Sequence, residues 1–223
     1  MKYSIIIPAF NEVESIGECV RMTRKAMPKA EIVVVDDCST DGTSKAVGKL
    51  KGVKIVSYKP NRGKGFALRK GFEKAGGEII ITNDADCAVL PEELPKFARA
   101  VSVKKGVVVI GTRYNKAREA GALSELHVFG GMAFAFLFSL LSGERVSDVL
   151  CGTKAFRKVD LEKMDLEEDS WPDIEFVFQA SKLGLKFKKI PVSYKRRAGG
   201  KAKMKTFQHG LFFLHSTFKE WLR

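Results

Sequence analysis

Ile79-Ile80-Ile81-Thr82-Asn83-Asp84-Ala85-Asp86 is a strongly apolar, β-type run that ends in two carboxylates one residue apart. A strand ending there leaves Asp84 and Asp86 in a loop at its carboxyl end, where open α/β sheets bind ligands. Two such oxygen ligands suit a hard divalent cation that keeps several waters and takes its other contacts from substrate phosphates. An isolated Asp-x-Asp fits equally a polar turn before the next helix. The surrounding chain decides between the two.

Upstream and downstream of this run, β-type clusters alternate with helical patterns. Strands are expected at 3–7, 31–35, 53–57, 78–82 and 107–110, and helices at 12–27, 41–50, 65–75 and 91–103. That alternation predicts βαβ units and a mostly parallel sheet. Beyond residue 112 the pattern loosens into a long apolar helix over 126–143, a turn at Cys151-Gly152, a helix over 172–183, a short strand over 187–190 and a basic tail. With 223 residues the chain suffices for one large α/β domain, expected over 1–205, followed by an amphipathic helix over 206–223.

Charge is lopsided, 39 Lys and Arg against 26 Asp and Glu, a net +13. Such a balance favours a polyanion, an anionic membrane surface or phosphorylated substrates. No RRM, KH or helix-turn-helix signature is present, and the cations concentrate in the tail, so nucleic acid is not the expected partner. Cys19, Cys38, Cys87 and Cys151 form no C-x-x-C pair, which argues against a zinc site or disulfide framework and implies a reducing, cytoplasmic setting. The first apolar run is broken at Pro8 and is too short for a signal peptide. There is no G-x-G-x-x-G after the first strand and no P-loop, so dinucleotide and P-loop sites are disfavoured.

Three strand ends carry polar loops: Pro8-Ala9-Phe10-Asn11-Glu12, Asp36-Asp37-Cys38-Ser39-Thr40-Asp41-Gly42 and Asp84-Ala85-Asp86. Asp41 reads as a helix N-cap. Asp36-Asp37 reads as more than a solvated turn, because adjacent carboxylates beside a metal loop repel unless something uses them. The set Ile5 to Glu12, Val33 to Thr43, Asn61-Arg62-Gly63-Lys64-Gly65 onward to Gly71, and Asp84 to Asp86 resembles the inverting, GT-A-fold glycosyltransferases of family 2. The resemblance continues through Ser147 to Arg157, Trp171 to Phe176 and Ile190 to Lys201. There it is similar to the branch that makes dolichyl- or polyprenyl-phosphate sugars.

The resemblance implies a GT-A, Rossmann-like αβα architecture and a hexose transfer from GDP-mannose or UDP-glucose to a dolichyl or polyprenyl phosphate. It implies that Pro8, Ala9 and Glu12 line the base and ribose, that Asp37 accepts from a base N–H, and that Asp84 and Asp86 hold Mg²⁺ or Mn²⁺ on the diphosphate. Uracil and guanine both offer ring N–H donors, so the base stays open. Lys64, near a helix amino terminus, is expected to assist the phosphates. Asp148 and Asp173 are expected near the sugar, and with Asp86 and Arg113 they form the expected catalytic set.

On the acceptor side, a sugar hydroxyl needs a positioned base, for which Asp173 is the candidate. A lipid monophosphate is already an oxyanion at neutral pH and needs cationic clamps. Arg113, Ser124, Arg197 and Lys201 are expected on that phosphate, within a run of Lys195, Arg196, Arg197, Lys201, Lys203 and Lys205 free of acidic residues. Gly199 and Gly200 suit a loop that closes over the donor. Relatives often carry a basic residue ahead of the 126–143 helix, where this chain has Ser124-Glu125-Leu126-His127. If that helix crossed a bilayer, the two halves of the site would be separated, so it is expected at a membrane interface, under a lipid chain, or in the core. Phe207, Leu211, Leu214, Phe218 and Leu222 fall at helical spacing and suit either an anionic leaflet or packing on the sheet. Peripheral attachment to the cytoplasmic face, or a homo-oligomer, is the corresponding expectation.

Overall fold

The computed structural model describes residues 1–197 and 206–223. The alternating half forms β1 (Tyr3–Ala9), α1 (Ile16–Ala26), β2 (Glu31–Asp36), α2 (Thr43–Gly48), β3 (Val53–Ser57), α3 (Lys64–Lys74) and β4 (Ile79–Thr82). A 3-10 turn, Pro91–Glu93, leads into α4 (Leu94–Val103) and β5 (Val107–Thr112). Then follow α5 (Glu125–Ser142), β6 (Lys154–Arg157), α6 (Lys158–Leu161), α7 (Asp173–Lys182), β7 (Lys186–Pro191) and α8 (Thr206–Leu222).

The strands make one sheet in the order β3-β2-β1-β4-β6-β5-β7. All neighbours are parallel except at β6, which runs antiparallel to both β4 and β5. β1, β2 and β4 lie inside the sheet, where both faces are covered, and they read accordingly as unbroken apolar runs: Ile5–Ile7, Ile32–Val35 and Ile79–Ile81 are all fully buried. β3, at the edge, places Lys54 among its apolar residues and is largely exposed. α1 packs against both α2 and α4, whereas α3 meets α7 through Phe72 and Phe176, and α7 meets α5 and α8. The result is the three-layer, mostly parallel GT-A-type architecture that the resemblance implied.

Local departures have simple causes. α1 begins at Ile16 rather than at Glu12, because Asn11 adopts a positive φ of 52° and residues 12–15 turn. Asp41 does not cap α2 directly; Gly42, at φ 97°, occupies that position, and Asp41 accepts from Thr43 N (2.9 Å) and Val13 N (3.0 Å). That pair of bonds ties the loop after β2 to the loop after β1. β6 was not expected, since four residues with lysine and arginine at their ends carry neither alternation nor an apolar run.

This strand direction positions the site. β2, β1 and β4 end at one edge, as do β5 and β7, while antiparallel β6 begins there. Residues 10–15, 37–42, 83–90, 113–114, 151–154 and 192–197 therefore meet along a single rim.

Candidate active site

The rim encloses a cavity of about 540 Å³. Its lining includes Pro8, Ala9, Glu12, Asp37, Lys64, Asp84, Asp86, Arg113, Ser124, Asp173 and Arg197, drawn from eleven separate positions of the sequence expectation. Among the described residues, one expected position differs. Asp148 does not line the cavity, and Lys201 lies outside the described residues, as do Lys203, Lys205, Gly199 and Gly200.

On the donor side, Asp36 and Asp37 are both buried and both used by the protein. Asp36 Oδ1 accepts from Ser39 N at 3.1 Å. Asp37 accepts from Arg62 N (2.8 Å), Gly63 N (2.7 Å) and Asn61 Nδ2 (2.9 Å). Asp37 thus holds the Asn61–Gly63 turn in place, and a base N–H at this carboxylate has to share it with that turn. The amino end of α3 is likewise engaged, because Gly65 N and Phe66 N donate to Asp169 O at 2.6 and 3.2 Å. A Cβ on Gly65 would lie 1.9 Å from Glu168 O, so glycine is what allows this docking. An anion approaching this end of α3 would therefore meet the Lys64 ammonium and not free helix-terminal amides.

Each carboxylate of the Asp-x-Asp pair faces a cation. Lys64 Nζ lies 2.7 Å from Asp84 Oδ1 and 3.8 Å from Asp173 Oδ2. Arg197 Nη1 lies 2.9 Å from Asp86 Oδ2, and its Nη2 2.7 Å from Glu12 Oε1. Burial and the charge of Asp84 raise the Asp86 carboxyl above its ordinary range, and Arg197 and the Ala88 amide only partly offset them. Among the described residues no group of three or more His, Cys, Asp or Glu side chains could hold a metal ion. A cation here draws on two carboxylates and on ligands brought by the substrate, which is the coordination habit of Mg²⁺ at phosphate sites. The donor set fits.

Arg113 lies at the carboxyl end of β5, and its guanidinium forms a fork on Asp148, with Nε–Oδ2 at 2.8 Å and Nη2–Oδ1 at 2.7 Å. The Arg113 backbone N–H adds a third bond to Oδ2 at 3.0 Å. The Asp148 side chain has no exposed surface, so it cannot reach a sugar; it fixes Arg113, which does line the cavity. Burial opposes the Arg113 charge, but Asp148 more than compensates and raises its pKa.

Asp173 lines the cavity but is clamped by Lys154, which is fully buried and also donates to Cys151 O. Burial pushes the Asp173 carboxyl up, and Lys154 and Lys64 overcome it, leaving it below the usual carboxylate range. An ion held so firmly is a poor proton acceptor, which weakens its expected role as a base. Ser124 caps α5: its Oγ accepts from His127 N at 3.3 Å and lies 2.6 Å from His127 Nδ1. Both residues line the cavity.

Lys154, His127, Trp171, Tyr114 and Tyr194 were not singled out from the sequence. Lys154 is placed by register, opposite Thr82 of β4 and Ile110 of β5, and only knowledge of β6 could have revealed it. Gly152 lies against the Asp84–Lys64 pair: a Cβ there would stand 2.4 Å from Asp84 Oδ2 and 2.5 Å from Lys64 Nζ, so a side chain at 152 would displace them.

α5 and α8 each reach the cavity lining, through His127 and Phe213, and both also expose apolar side chains. Leu126, Phe129, Met132, Phe136 and Leu140 of α5 are exposed, and α5 is the one described helix with the length and composition to cross a bilayer. Both its flanks serve the same site: Ser124 and His127 precede or open it, and the chain doubles back at Gly143, bringing Val146 N to 3.3 Å from Ser139 Oγ, before reaching Asp148. On α8, the spaced residues Leu211, Leu214, Phe218 and Leu222 point outward, while Phe213, Ser216, Thr217 and Glu220 are buried. Glu220 tolerates this because Gln179 Nε2 (3.3 Å) and Arg223 Nη1 (3.6 Å) meet it.

A seven-stranded, mostly parallel sheet with an Asp-x-Asp loop on its rim is the architecture of the GT-A glycosyltransferases. Residues 4–165 match the family described as Glycosyl transferase family 2, and the chain belongs to that family. It is 34% identical over 194 residues to protein MJ1222 of Methanocaldococcus jannaschii, covering 84% of this chain and 79% of that one. It is 26% identical to the undecaprenyl-phosphate mannosyltransferase of Micrococcus luteus, over 92% of this chain and 88% of that one. Among solved structures, glucosyl-3-phosphoglycerate synthase from Mycobacterium tuberculosis, in complex with Mn²⁺, UDP and phosphoglyceric acid, superposes with a TM-score of 0.74. That match has 19% identity and covers 99% of this chain and 78% of the synthase.

Proposed function

We propose that this chain transfers a hexose from a nucleotide sugar to a polyprenyl phosphate of the dolichyl type, with inversion, using Mg²⁺ or Mn²⁺ on Asp84 and Asp86. The observation that carries the reading is the division of one cavity into a carboxylate loop and a cationic wall. Arg113, Lys195 and Arg197 line the same space as Asp84 and Asp86. The five carboxylates that line it, Glu12, Asp37, Asp84, Asp86 and Asp173, are each held by a cation or by amide donors. A hydroxyl nucleophile needs a base, and Asp173 is poorly suited to be one. A phosphate monoester needs only cations to orient it.

In this reading the bound cation neutralises charge on the departing diphosphate. Pro8, Ala9 and Glu12 cradle the nucleoside, and Asp37 positions it through the Asn61–Gly63 turn. Lys64 faces the diphosphate from the far side of Asp84. Arg113, fixed by Asp148, orients the acceptor oxygen so that it attacks the anomeric carbon as the bond to the diphosphate breaks, with Ser124, Arg197 and Lys201 completing the phosphate site. The apolar faces of α5 and α8 flank the mouth and suit the lipid chain or a cytoplasmic leaflet, which supports peripheral attachment. The name of the Micrococcus relative, an undecaprenyl-phosphate mannosyltransferase, supports the acceptor class.

The test is incubation with Mn²⁺ or Mg²⁺, radiolabelled UDP-glucose or GDP-mannose in parallel, and a short polyprenyl phosphate. Label is expected in the organic phase with one donor, lost with chelator and lost in Asp86→Ala. Metal-dependent donor hydrolysis without lipid product would overturn the acceptor assignment and keep the transferase class.

A further inference from the structure

One guanidinium, that of Arg197, spans the loops that follow β1 and β4, with Nη2 on Glu12 Oε1 at 2.7 Å and Nη1 on Asp86 Oδ2 at 2.9 Å. The remaining oxygens of those carboxylates are also engaged: Glu12 Oε2 accepts from Ser15 Oγ at 3.1 Å, and Asp86 Oδ1 from Ala88 N at 3.0 Å. Asp86 is buried, so water screens little there. A divalent cation on Asp86 and the guanidinium on its Oδ2 are therefore competing arrangements, because two positive groups would meet at one carboxylate in a poorly screened place. Lys64 stands in the same relation to Asp84, with Asp173 on its other side as Arg197 has Glu12. Lys64 opens α3, whose amino end is docked on Asp169 O, whereas Arg197 follows β7 outside any strand or helix, so Arg197 is the cation whose backbone is less constrained.

We propose that Arg197 is an exchangeable counter-ion of the donor site, displaced from Asp86 and Glu12 when metal and nucleotide load, and delivered by that displacement to the acceptor phosphate. The inference rests on the donor and acceptor assignment above and deepens it. One side chain then couples the two halves of the cavity. With Arg197 on Asp86 and Glu12, the two carboxylates share one positive charge and the acceptor wall lacks one cation; with metal on Asp86, the cation belongs to the acceptor. Donor loading strengthens acceptor binding, and by reciprocity the acceptor strengthens donor loading. Transfer then proceeds with the donor bound first.

The test has two arms on the full chain, with circular dichroism melts confirming that each variant is folded. In the first, free Mn²⁺ is followed by electron paramagnetic resonance for wild type, Arg197→Gln and Lys195→Gln. Lys195 is a second cation lining the cavity, and it reports the plain effect of removing one positive charge. Arg197→Gln is expected to tighten Mn²⁺ binding without nucleotide by about tenfold, within the usual range for coupled sites, and Lys195→Gln by much less. Equal gains in both variants, or no gain in Arg197→Gln, would overturn the exchange.

In the second arm, calorimetry measures farnesyl phosphate binding with and without Mn²⁺ plus UDP or GDP. Wild type is expected to bind the phosphate more tightly when loaded, and Arg197→Gln to lose that dependence. Loading that leaves wild-type phosphate affinity unchanged would overturn the coupling. Failure of wild type to bind either nucleotide with Mn²⁺ would instead overturn the donor assignment, and this inference with it.

Discussion

Asp148→Asn keeps the shape of a side chain that touches no solvent and removes its charge, and the consequence follows from three bonds. Asp148 accepts from Arg113 Nε, Nη2 and backbone N at 2.7–3.0 Å, and the Arg113 side chain is only 12% exposed. Asparagine offers one acceptor oxygen, and its NH₂ would face a guanidinium N–H. Breaking a buried pair from one side costs about 3–5 kcal/mol, because a charge is left uncompensated. For a chain of 223 residues each kcal/mol lowers Tm by about 2–4 °C, so a fall of roughly 6–20 °C is expected by differential scanning calorimetry. Transfer is expected to fall by about 10²-fold through a rise in acceptor KM, as for a catalytic group displaced by about 1 Å.

The double variant Arg113→Met with Asp148→Leu separates the two effects. Replacing both partners by apolar residues removes the orphaned charge, so most of the stability is expected to return. Activity is expected to stay lost, since no cation remains at the end of β5. Additive stability losses in the double variant, or a single Asp148→Asn variant with an unchanged melt and unchanged acceptor KM, would refute the assignment of Asp148 as the residue that positions Arg113.

Asp86→Ala is expected to abolish metal-dependent label transfer while moving Tm by no more than about 3 °C, because Asp86 is buried beside a like charge and its removal relieves repulsion. Asp173 gives a pH signature in calorimetry. Its folded carboxyl is held low by Lys154 and Lys64, so the stability it contributes is full above the unfolded value of about 3.9 and is lost as pH falls through the lower folded value. The Tm gap between wild type and Asp173→Asn should therefore stay level from about pH 5 to 8 and narrow below about pH 4; a gap that widens on acidification would contradict the pairing. Phe129→Glu with Phe136→Glu alters two α5 side chains that are 74% and 72% exposed, and is expected to weaken co-sedimentation with anionic vesicles at unchanged Tm.

The sheet was legible where burial makes sequence periodic. β1, β2 and β4 are covered on both faces and announce themselves as isoleucine and valine runs, and the polar loops at their ends locate the rim. β6 was hidden because its identity comes from its neighbours: Lys154 pairs with Thr82 and Ile110 and meets a carboxylate under the site, a partnership that no local pattern encodes. The same limit explains Asp148, whose burial beneath Arg113 depends on the chain doubling back after α5. On α8 the apolar spacing left a leaflet and the sheet both open; that face points outward, and Gln179 and Arg223 supply the partners that let Glu220 turn inward.

These hidden pairings give the site its electrical logic. Lys154, Asp173, Lys64 and Asp84 alternate in sign from beneath the sheet to the cavity wall, and Glu12, Arg197 and Asp86 repeat the alternation on the other side. A donor whose diphosphate charge is cancelled by its own divalent cation would enter such a site without requiring a new counter-ion, and on the exchange proposed above Arg197 would leave Asp86 as that cation is bound. An acceptor monophosphate brings negative charge with no metal of its own, and Arg113 is already matched by Asp148. On the exchange proposed for Arg197, the cation released by the first event would supply what the second requires, so with the donor bound first the incoming monophosphate meets a cation no longer held by Asp86.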